Sequence, residues 1–439
     1  MRLTGGSLAR RANFLHTAKV HVIDATEPIV RAARQGNAAR WVMLLCAVAA
    51  CCGGCASASA QALSVVHRST VLLPSGAVDQ NGNAFTIAGL SGIAYAGPSP
   101  NAPAGSGVHM FFAVMDNSNK VIAIDAAISP TGAVSSVSVA SALSLPVAAD
   151  FEDIVITGGG AGVLLAEEGS PGIRAFALPS GDAGPSLEVP AVFASRRENF
   201  GFESLAAAGL TLWTANEEAL SVDGPLSTQA AGAVVRLLRY EVGPEGELLP
   251  ASQHAYRCEP LHGSAMTGAR SGLVALAVLP SGRMLALERS FALNLGGFFR
   301  SRLFEVSLGG ASDVAVVPAL QGAAFVAAGK TLLWSGNLNN LEGLCIGPAL
   351  AGGGRVLIGV VDDGDPISAG ALVSFAITGP TEAACAADAD GSGSVGVPDI
   401  FTFLSWWFGG DDRADVDGEA GVAVADIFAF LSLWFAGCG

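Results

Sequence analysis

The sequence predicts an all-β protein, a β-propeller of five or six blades, followed by a small α-helical calcium-binding domain. Three observations carry the propeller. Fifty-six of the 439 residues are glycine, valine and alanine runs are frequent, and charge is sparse, a composition that favours strands and turns over helices. A short frame of apolar residue, acid, small or polar residue and aliphatic residue recurs along the chain. After each copy comes a second apolar run that ends in charge.

The frame reads Phe151-Glu152-Asp153-Ile154, Phe202-Glu203-Ser204-Leu205 and Leu341-Glu342-Gly343-Leu344. Leu90-Ser91-Gly92-Ile93 puts serine in the acid's place, and Val274-Ala275-Leu276-Ala277 keeps only the apolar part. The second runs close on Asp116, on Glu167 and Glu168, on Glu217 and Glu218, on Glu288 and Arg289, and on Asp362 and Asp363. Third runs follow at 121–125, 173–178, 234–242, 302–308 and 371–377. The units start near positions 91, 152, 203, 274 and 342. Units of this length, with three or four strands each, indicate propeller blades. A sixth unit has room between Gly309 and Asn340, and the strand Thr70 to Pro74 is placed to complete the last blade. A pair of β-sandwiches is the competing architecture.

Residues 1–62 read as an export segment. They hold seven basic and two acidic groups, the short apolar run Trp41 to Ala50, and then Ala56-Ser57-Ala58-Ser59-Ala60. The run is too short to span a bilayer, and the small residues offer Ala-x-Ala cleavage. Val48-Ala49-Ala50-Cys51 resembles a lipobox, so lipoprotein processing competes with simple secretion, and a buried core helix is the bland alternative. Either export route places the protein outside the cell or on its surface, with no transmembrane span once the segment is removed. Without these residues the chain has 16 basic and 36 acidic groups, a charge of −20. That surface repels nucleic acid and anionic membranes and attracts cations.

Four cysteines lie beyond the export segment: Cys258, Cys345, Cys385 and Cys438. An even number in an exported chain points to two disulfides. Cys385 and Cys438 bracket the tail and are paired on that ground; Cys258 with Cys345 follows by elimination.

First strands of propeller blades line a central channel, so an acid at one frame position converges on the axis. Glu152, Glu203 and Glu342 are expected there, with Glu167, Glu217, Glu288 and Arg289 nearby and Asn199 and Gly201 orienting Glu203. Close carboxylates repel, so they take up protons or a cation. Ca2+, which accepts six to eight oxygen ligands, is the expected ion.

The order of these stretches resembles the phytase-like family, also described as "esterase-like activity of phytase". The likeness covers residues 85 to 380, and its most specific parts are Asn199-Phe200-Gly201-Phe202-Glu203 and Leu287-Glu288-Arg289-Ser290-Phe291. The resemblance implies a propeller and hydrolysis of an ester or phosphoester, with Glu203, Glu152, Asn199, Glu288, Arg289 and Glu342 as candidate catalytic residues. Two departures remove features a phosphate site would use. Phe200 stands where the family motif is basic, and Asp116-Asn117-Ser118 replaces an aspartate-basic-glycine closure. No Gly-x-Ser-x-Gly elbow is present, and His67, His109, His254 and His262 show neither triad nor metal spacing. Any catalysis is therefore expected to be metal-assisted, with a carboxylate activating water.

The tail, residues 381–439, repeats itself at an offset of 27. Asp388-Ala389-Asp390-Gly391-Ser392-Gly393-Ser394 leads to Asp399, and Asp415-Val416-Asp417-Gly418-Glu419-Ala420-Gly421 leads to Asp426. Oxygen donors at positions 1, 3, 5 and 12, with a backbone carbonyl at position 7 (Ser394 and Gly421), are the spacing of an EF-hand-type Ca2+ loop. Each loop runs into an apolar, aromatic helix. The tail resembles a type I dockerin of the kind ending in Gly-Cys, which implies a cohesin-like or cell-surface partner. Phe401, Trp406, Trp407, Phe428 and Trp434 exceed what so small a core needs, leaving some of them for docking. Residues 63–380 are thus expected to be an exported, metal-assisted ester or phosphoester hydrolase with an anchoring tail. A non-catalytic surface propeller that binds a protein or small ligand is the alternative.

Overall fold

A computed structural model describes residues 62–364, 367–382, 385–390, 395–417 and 421–437. Residues 1–61, nearly all of the stretch 1–62 expected to be an export segment, and Ser392, Ser394, Glu419 and Cys438 lie outside the described residues.

The chain enters on β1 (Ser64–Leu72) and a short hairpin, β2 (Gly76–Val78) and β3 (Ala84–Thr86). Four blades then follow in sequence order. Blade 1 is β4 (Leu90–Pro98), β5 (Val108–Met115), β6 (Ser118–Ile128) and β7 (Val134–Ala149). Blade 2 is β8 (Phe151–Thr157), β9 (Gly162–Glu167), β10 (Gly172–Ala177) and β11 (Ala183–Ser186). Blade 3 is β12 (Phe202–Ala208), β13 (Thr211–Asn216), β14 (Val234–Val242) and β15 (Leu248–Arg257). Blade 4 is β16 (Arg270–Val278), β17 (Met284–Phe291), β18 (Phe299–Ser307) and β19 (Gly329–Gly336). Blade 5 is β20 (Leu341–Ala349), β21 (Arg355–Val361) and β22 (Ala371–Thr378), and β1 supplies its outer strand, pairing Ser64 with Thr378 and Leu72 with Ala371. The molecule is a five-bladed propeller. The inner strands pass side by side from β4 through β8, β12, β16 and β20 and back to β4. Of the five or six blades expected, the structure has five: β19 is the outer strand of blade 4, and residues 308–328 ahead of it form loops with no strand.

The inner strands are covered on both faces and are near-continuous buried runs, whereas the outer strands β1, β7, β11 and β19 are largely exposed or alternate. Each seam between neighbouring blades has its own core. Val114 and Phe151 meet between blades 1 and 2, Phe202 and Phe193 between 2 and 3, Trp213 and Leu276 between 3 and 4, Leu285 and Phe375 between 4 and 5, and Leu90 and Val360 between 5 and 1. Loop 308–328 is fixed by a buried guanidinium. Arg236, fully buried, donates to Asp223 at 2.7 and 2.8 Å and to the carbonyls of Val314 (3.3 Å) and Val317 (2.9 Å).

Cys258 and Cys345 are free, buried thiols, so the second expected disulfide does not exist. Cys258 follows the last strand of blade 3 and Cys345 lies in the inner strand of blade 5, and elimination had no geometry to test.

The tail has its own small core. Helices α1 (Val397–Gly409) and α2 (Val424–Ala436) stack Phe403 on Phe430, ring centroids 4.1 Å apart and nearly parallel. Trp407 donates to the Ala423 carbonyl (2.7 Å) and Trp434 to the Gly396 carbonyl (2.8 Å). Those two bonds differ by the same 27-residue offset, so the sequence repeat is a structural pseudo-twofold. Trp406, Trp407 and Trp434 pack against this core, whereas Phe401 and Phe428 are exposed.

Candidate functional site

Every inner strand breaks register with its neighbour at the second residue of its frame, and in blade 4 that places the frame one residue earlier than the sequence alone suggests, at Leu273-Val274-Ala275-Leu276. Ser91, Glu152, Glu203, Val274 and Glu342 are each skipped in the pairing of β4, β8, β12, β16 and β20. A bulge of this kind leaves one residue out of the ladder and re-aims its side chain. The frame is therefore the signature of a bulge, and its acid is the residue the bulge redirects.

The pairing also defines a second ring. The residues that follow, on the second strands, the ladder pair just before each bulge are Asp116, Glu168, Glu217, Arg289 and Asp362. Two pseudo-fivefold rings thus meet at one mouth of the channel. Blade 4 breaks both patterns, with Val274 for an acid in the first ring and Arg289 for an acid in the second.

A polar pocket of about 230 Å³ opens there, lined by Glu152, Glu203, Glu342, Asp116, Glu168 and Asp362, with Asp150, Asn117, Asn199, Arg270 and Arg289. Seven carboxylates face two guanidiniums, a formal charge of −5. Glu152, Glu203, Glu342, Asn199 and Arg289 are therefore brought together. Glu288 is not among them. It points into the seam between blades 3 and 4, where it accepts from Tyr256 Oη (2.7 Å), the Glu259 amide (2.8 Å) and Lys330 Nζ (2.6 Å). Glu167 turns away to pair with Arg174. In both pairs of neighbours, Glu167/Glu168 and Glu288/Arg289, the inward residue is the second one, because successive strand residues face opposite sides.

The two halves of the pocket are neutralised differently. Arg289, itself buried, donates to Glu342, to Asn340 (2.6 Å) and through Nη2 to Glu217 Oε1 (2.6 Å). Burial opposes its charge, and Glu342, Glu217 and Glu203 more than offset that, so it stays protonated. On the other half, Asp150, Glu152 and Glu168 place one oxygen each within 4.8 Å of one another, and so do Glu168, Glu203 and Glu217. No basic side chain pairs with Asp150, Glu152, Glu168 or Glu203 among the described residues. Glu152 is only 8 % exposed and has neither a hydrogen bond nor an ion pair there.

The titration of these acids follows. Burial first, then neighbouring carboxylates, push Glu152 and Glu203 well above the usual range. Glu168, which hydrogen-bonds Glu203, is raised by burial to about 7. Burial lifts Glu342 to about 8 in spite of Arg289, and Asp116 to about 6. A buried carboxylate left without a counterion takes up a proton or a cation.

The backbone is shaped to this mouth. Asn199 sits at φ 56°, a left-handed conformation asparagine tolerates. Gly201 passes so close to blade 2 that a Cβ would lie 2.2 Å from the Glu168 carbonyl oxygen. Its amide donates to Glu168 Oε1 at 3.3 Å. Asp153, the frame's third residue in blade 2, accepts from the amides of Ile154 (2.8 Å) and Leu205 (2.6 Å), tying blade 2 to blade 3.

In the tail, Asp388, Asp390 and Asp399 bring oxygens within 4.8 Å of one another, as do Asp415, Asp417 and Asp426. Asp399 accepts from the amides of Asp390 (3.0 Å) and Gly396 (2.7 Å), Asp426 from those of Val416 (2.8 Å) and Ala423 (2.7 Å), and Gly421 donates to Asp415 (3.1 Å).

Residues 86–364 match the family model described as "Phytase-like: Esterase-like activity of phytase". The chain belongs to the phytase-like family. The match covers all five inner strands of this phytase-like propeller, and the tail lies beyond it. No curated protein matches the chain. Solved structures with some likeness include Kuenenia stuttgartiensis hydrazine synthase (11 % identity, 66 % of this chain and 70 % of that one, TM-score 0.33). Others are the PQQ-bound aldose sugar dehydrogenase of Streptomyces coelicolor (13 %, 72 % and 98 %, 0.31) and Myxococcus xanthus glutaminyl cyclase (10 %, 73 % and 98 %, 0.33). At such scores none bears on activity. No helix among the described residues is long and apolar enough to cross a membrane.

Proposed function

We propose that this phytase-like propeller is an exported, metal-assisted hydrolase of esters or phosphoesters, acting at the acidic mouth of its channel. The observation that carries the reading is the unpaired half of the pocket: Glu152, Asp150 and Glu168 face one another without a basic partner. These residues suit a hard divalent cation such as Ca2+, since all their donors are carboxylate oxygens. Bound there, it would offset carboxylate repulsion and make a water easier to deprotonate. Glu203 either completes the ligand set or takes that water's proton. Arg289, fixed between Glu342 and Glu217, and Arg270 at the rim supply the positive charge that orients a substrate oxyanion.

Glu203→Gln keeps the shape and removes the charge. Turnover of a chromogenic phosphate and of a chromogenic acyl ester, each with and without Ca2+, is expected to fall at least a hundredfold, the lower range for a lost acid–base group. Unchanged turnover, together with unchanged Ca2+ affinity of the body, would reject this role for the site.

The tail is read as a dockerin-like, calcium-binding anchor for a cohesin-like or cell-surface protein, closed by a Cys385–Cys438 disulfide. Its support is the pair of aspartate triads related by 27 residues. Asp388→Ala is expected to remove one Ca2+ from the full chain and to loosen α1, because a first-position oxygen is lost. Isothermal calorimetry on the two proteins checks this; equal stoichiometry would sink it.

A further inference from the structure

Blade 4, which breaks both rings of acids, also has a different rim. The turns between second and third strands are short and polar in blades 1 and 2, Asp116-Asn117 and Glu168-Gly169-Ser170-Pro171. In blade 4 the same connection is the loop Ala292-Leu293-Asn294-Leu295-Gly296-Gly297-Phe298. Leu295 is fully exposed there, Leu293 is 53 % exposed, and Phe298 is exposed as well, as is Met266 in the loop that enters β16.

The loop belongs to the mouth of the channel. Phe291 is the ladder partner of Arg270, which lines the acidic pocket, so the loop leaves β17 directly beyond that pair. A Cβ on Gly297 would lie 2.2 Å from Asn337 Nδ2, so the loop passes close to the crossing into blade 5, whose Asn340 accepts from Arg289. Its backbone is fixed. Leu293 and Ser264 exchange both amide-to-carbonyl bonds (2.9 and 3.0 Å), and the Ala292 amide donates to the Phe298 carbonyl (2.9 Å). Asn294 donates to the His262 carbonyl (2.8 Å) and accepts from the Gly296 amide (2.8 Å). The apolar side chains are therefore held out on a braced loop.

Resting on the hydrolase reading above, we infer that this rim is the apolar half of the substrate site. Leu293, Leu295, Phe298 and Met266 receive the alkyl chain of a carboxylic ester whose ester group lies in the acidic pocket. An exposed apolar cluster marks a place that something covers. A stable protein interface takes about 20–30 residues a side, far more than these four side chains, whereas one alkyl chain matches them. Charge selects between the two substrate classes left open above. A neutral carboxylic ester enters a lining of formal charge −5 without repulsion, and a phosphate dianion does not. Apolar walls beside a few placed polar groups are the usual make-up of a small-molecule site. Hydrolysis adds water across the acyl C–O bond and gives the acid and the alcohol, with no further reactant.

The test compares 4-nitrophenyl octanoate with 4-nitrophenyl acetate on the full chain in Ca2+. The parent's kcat/KM is expected to be about tenfold or more higher for the octanoate, the gain from covering part of an alkyl chain. In Leu293→Ser with Leu295→Ser the ratio is expected to fall to near one. Both side chains are exposed, so serine opens no cavity in the core. Binding is read separately by ligand-observed nuclear magnetic resonance with octanamide and acetamide, neutral isosteres of the esters. Octanamide is expected to bind the parent about tenfold more tightly than acetamide, and the double variant no more tightly. A ratio near one in the parent, a ratio that the double variant keeps, or octanamide that binds both proteins alike overturns the apolar subsite and leaves the hydrolase reading standing. Octanamide preference lost in the variant, with neither ester turned over, supports the alkyl site and sinks the hydrolase reading instead. Binding to phosphatidylcholine vesicles that the double variant loses, with no preference for octanamide, makes the loop a lipid contact and overturns the subsite.

Discussion

Arg289→Met is expected to destabilise the propeller by about 3–5 kcal/mol, the cost of removing one partner from a buried ion pair. The guanidinium is buried and holds two carboxylates from different blades, Glu217 of blade 3 and Glu342 of blade 5. Methionine fills a similar space and leaves both acids buried without a counterion. The deficit should shrink as pH falls, since Glu342, whose carboxyl burial lifts to about 8, is then neutral. A triple variant, Arg289→Met with Glu217→Gln and Glu342→Gln, should recover most of the loss, because exchanging a whole buried charge set for neutral groups is often neutral. Urea unfolding at pH 5 and pH 8 measures all of this. A single variant as stable as the parent at pH 8 would show that Arg289 is not the counterion.

The second large effect is the pH dependence of the metal-free protein. Asp116, Glu168, Glu218 and Glu342 have folded pKa values of about 6, 7, 7 and 8, all raised chiefly by burial. For a raised acid, the folded state keeps a proton that the unfolded chain releases, so stability falls as pH rises. The window opens near the ordinary values of 3.8 and 4.5 and closes at the folded ones. Within it, each of the well-buried glutamates costs on the order of 1.4 kcal/mol per pH unit. In a chelator, unfolding midpoints are expected to drop steadily from pH 5 to pH 8. Ca2+ binds the deprotonated acids, so at pH 8 a hundredfold excess over Kd restores about 2.7 kcal/mol. Stability in chelator that rose over this range would contradict the assigned burial of these acids.

Five blades and the convergence of Glu152, Glu203 and Glu342 were legible because one bulged frame marks each inner strand, whereas the choice between five blades and six was not. The bulge itself was not visible, yet its acid was. The errors have local causes. Glu167 and Glu288 stand one residue from Glu168 and Arg289, and a side-chain period of two makes one residue the difference between pocket and seam. Asp150 precedes a frame at a position held by glycine in blades 1, 3 and 4, so no repeat drew notice to it. Arg236 and Asp223 meet only because blade 3 folds one over the other, and no short-range pattern encodes that. The loops at 308–328 filled a gap long enough for a blade but carry no framed strand.

The closing strand of blade 5 also sets an order of events. Ser64 pairs with Thr378, so the ring is shut by residues more than 300 positions apart. Until β22 exists, β1 has nothing to join, and blade 5 keeps an open edge. A nascent or translocating chain therefore cannot finish its propeller early. Contacts of such long range fold slowly. The chain remains threadable until its last blade has emerged, and the first strand to be made is among the last to find its place.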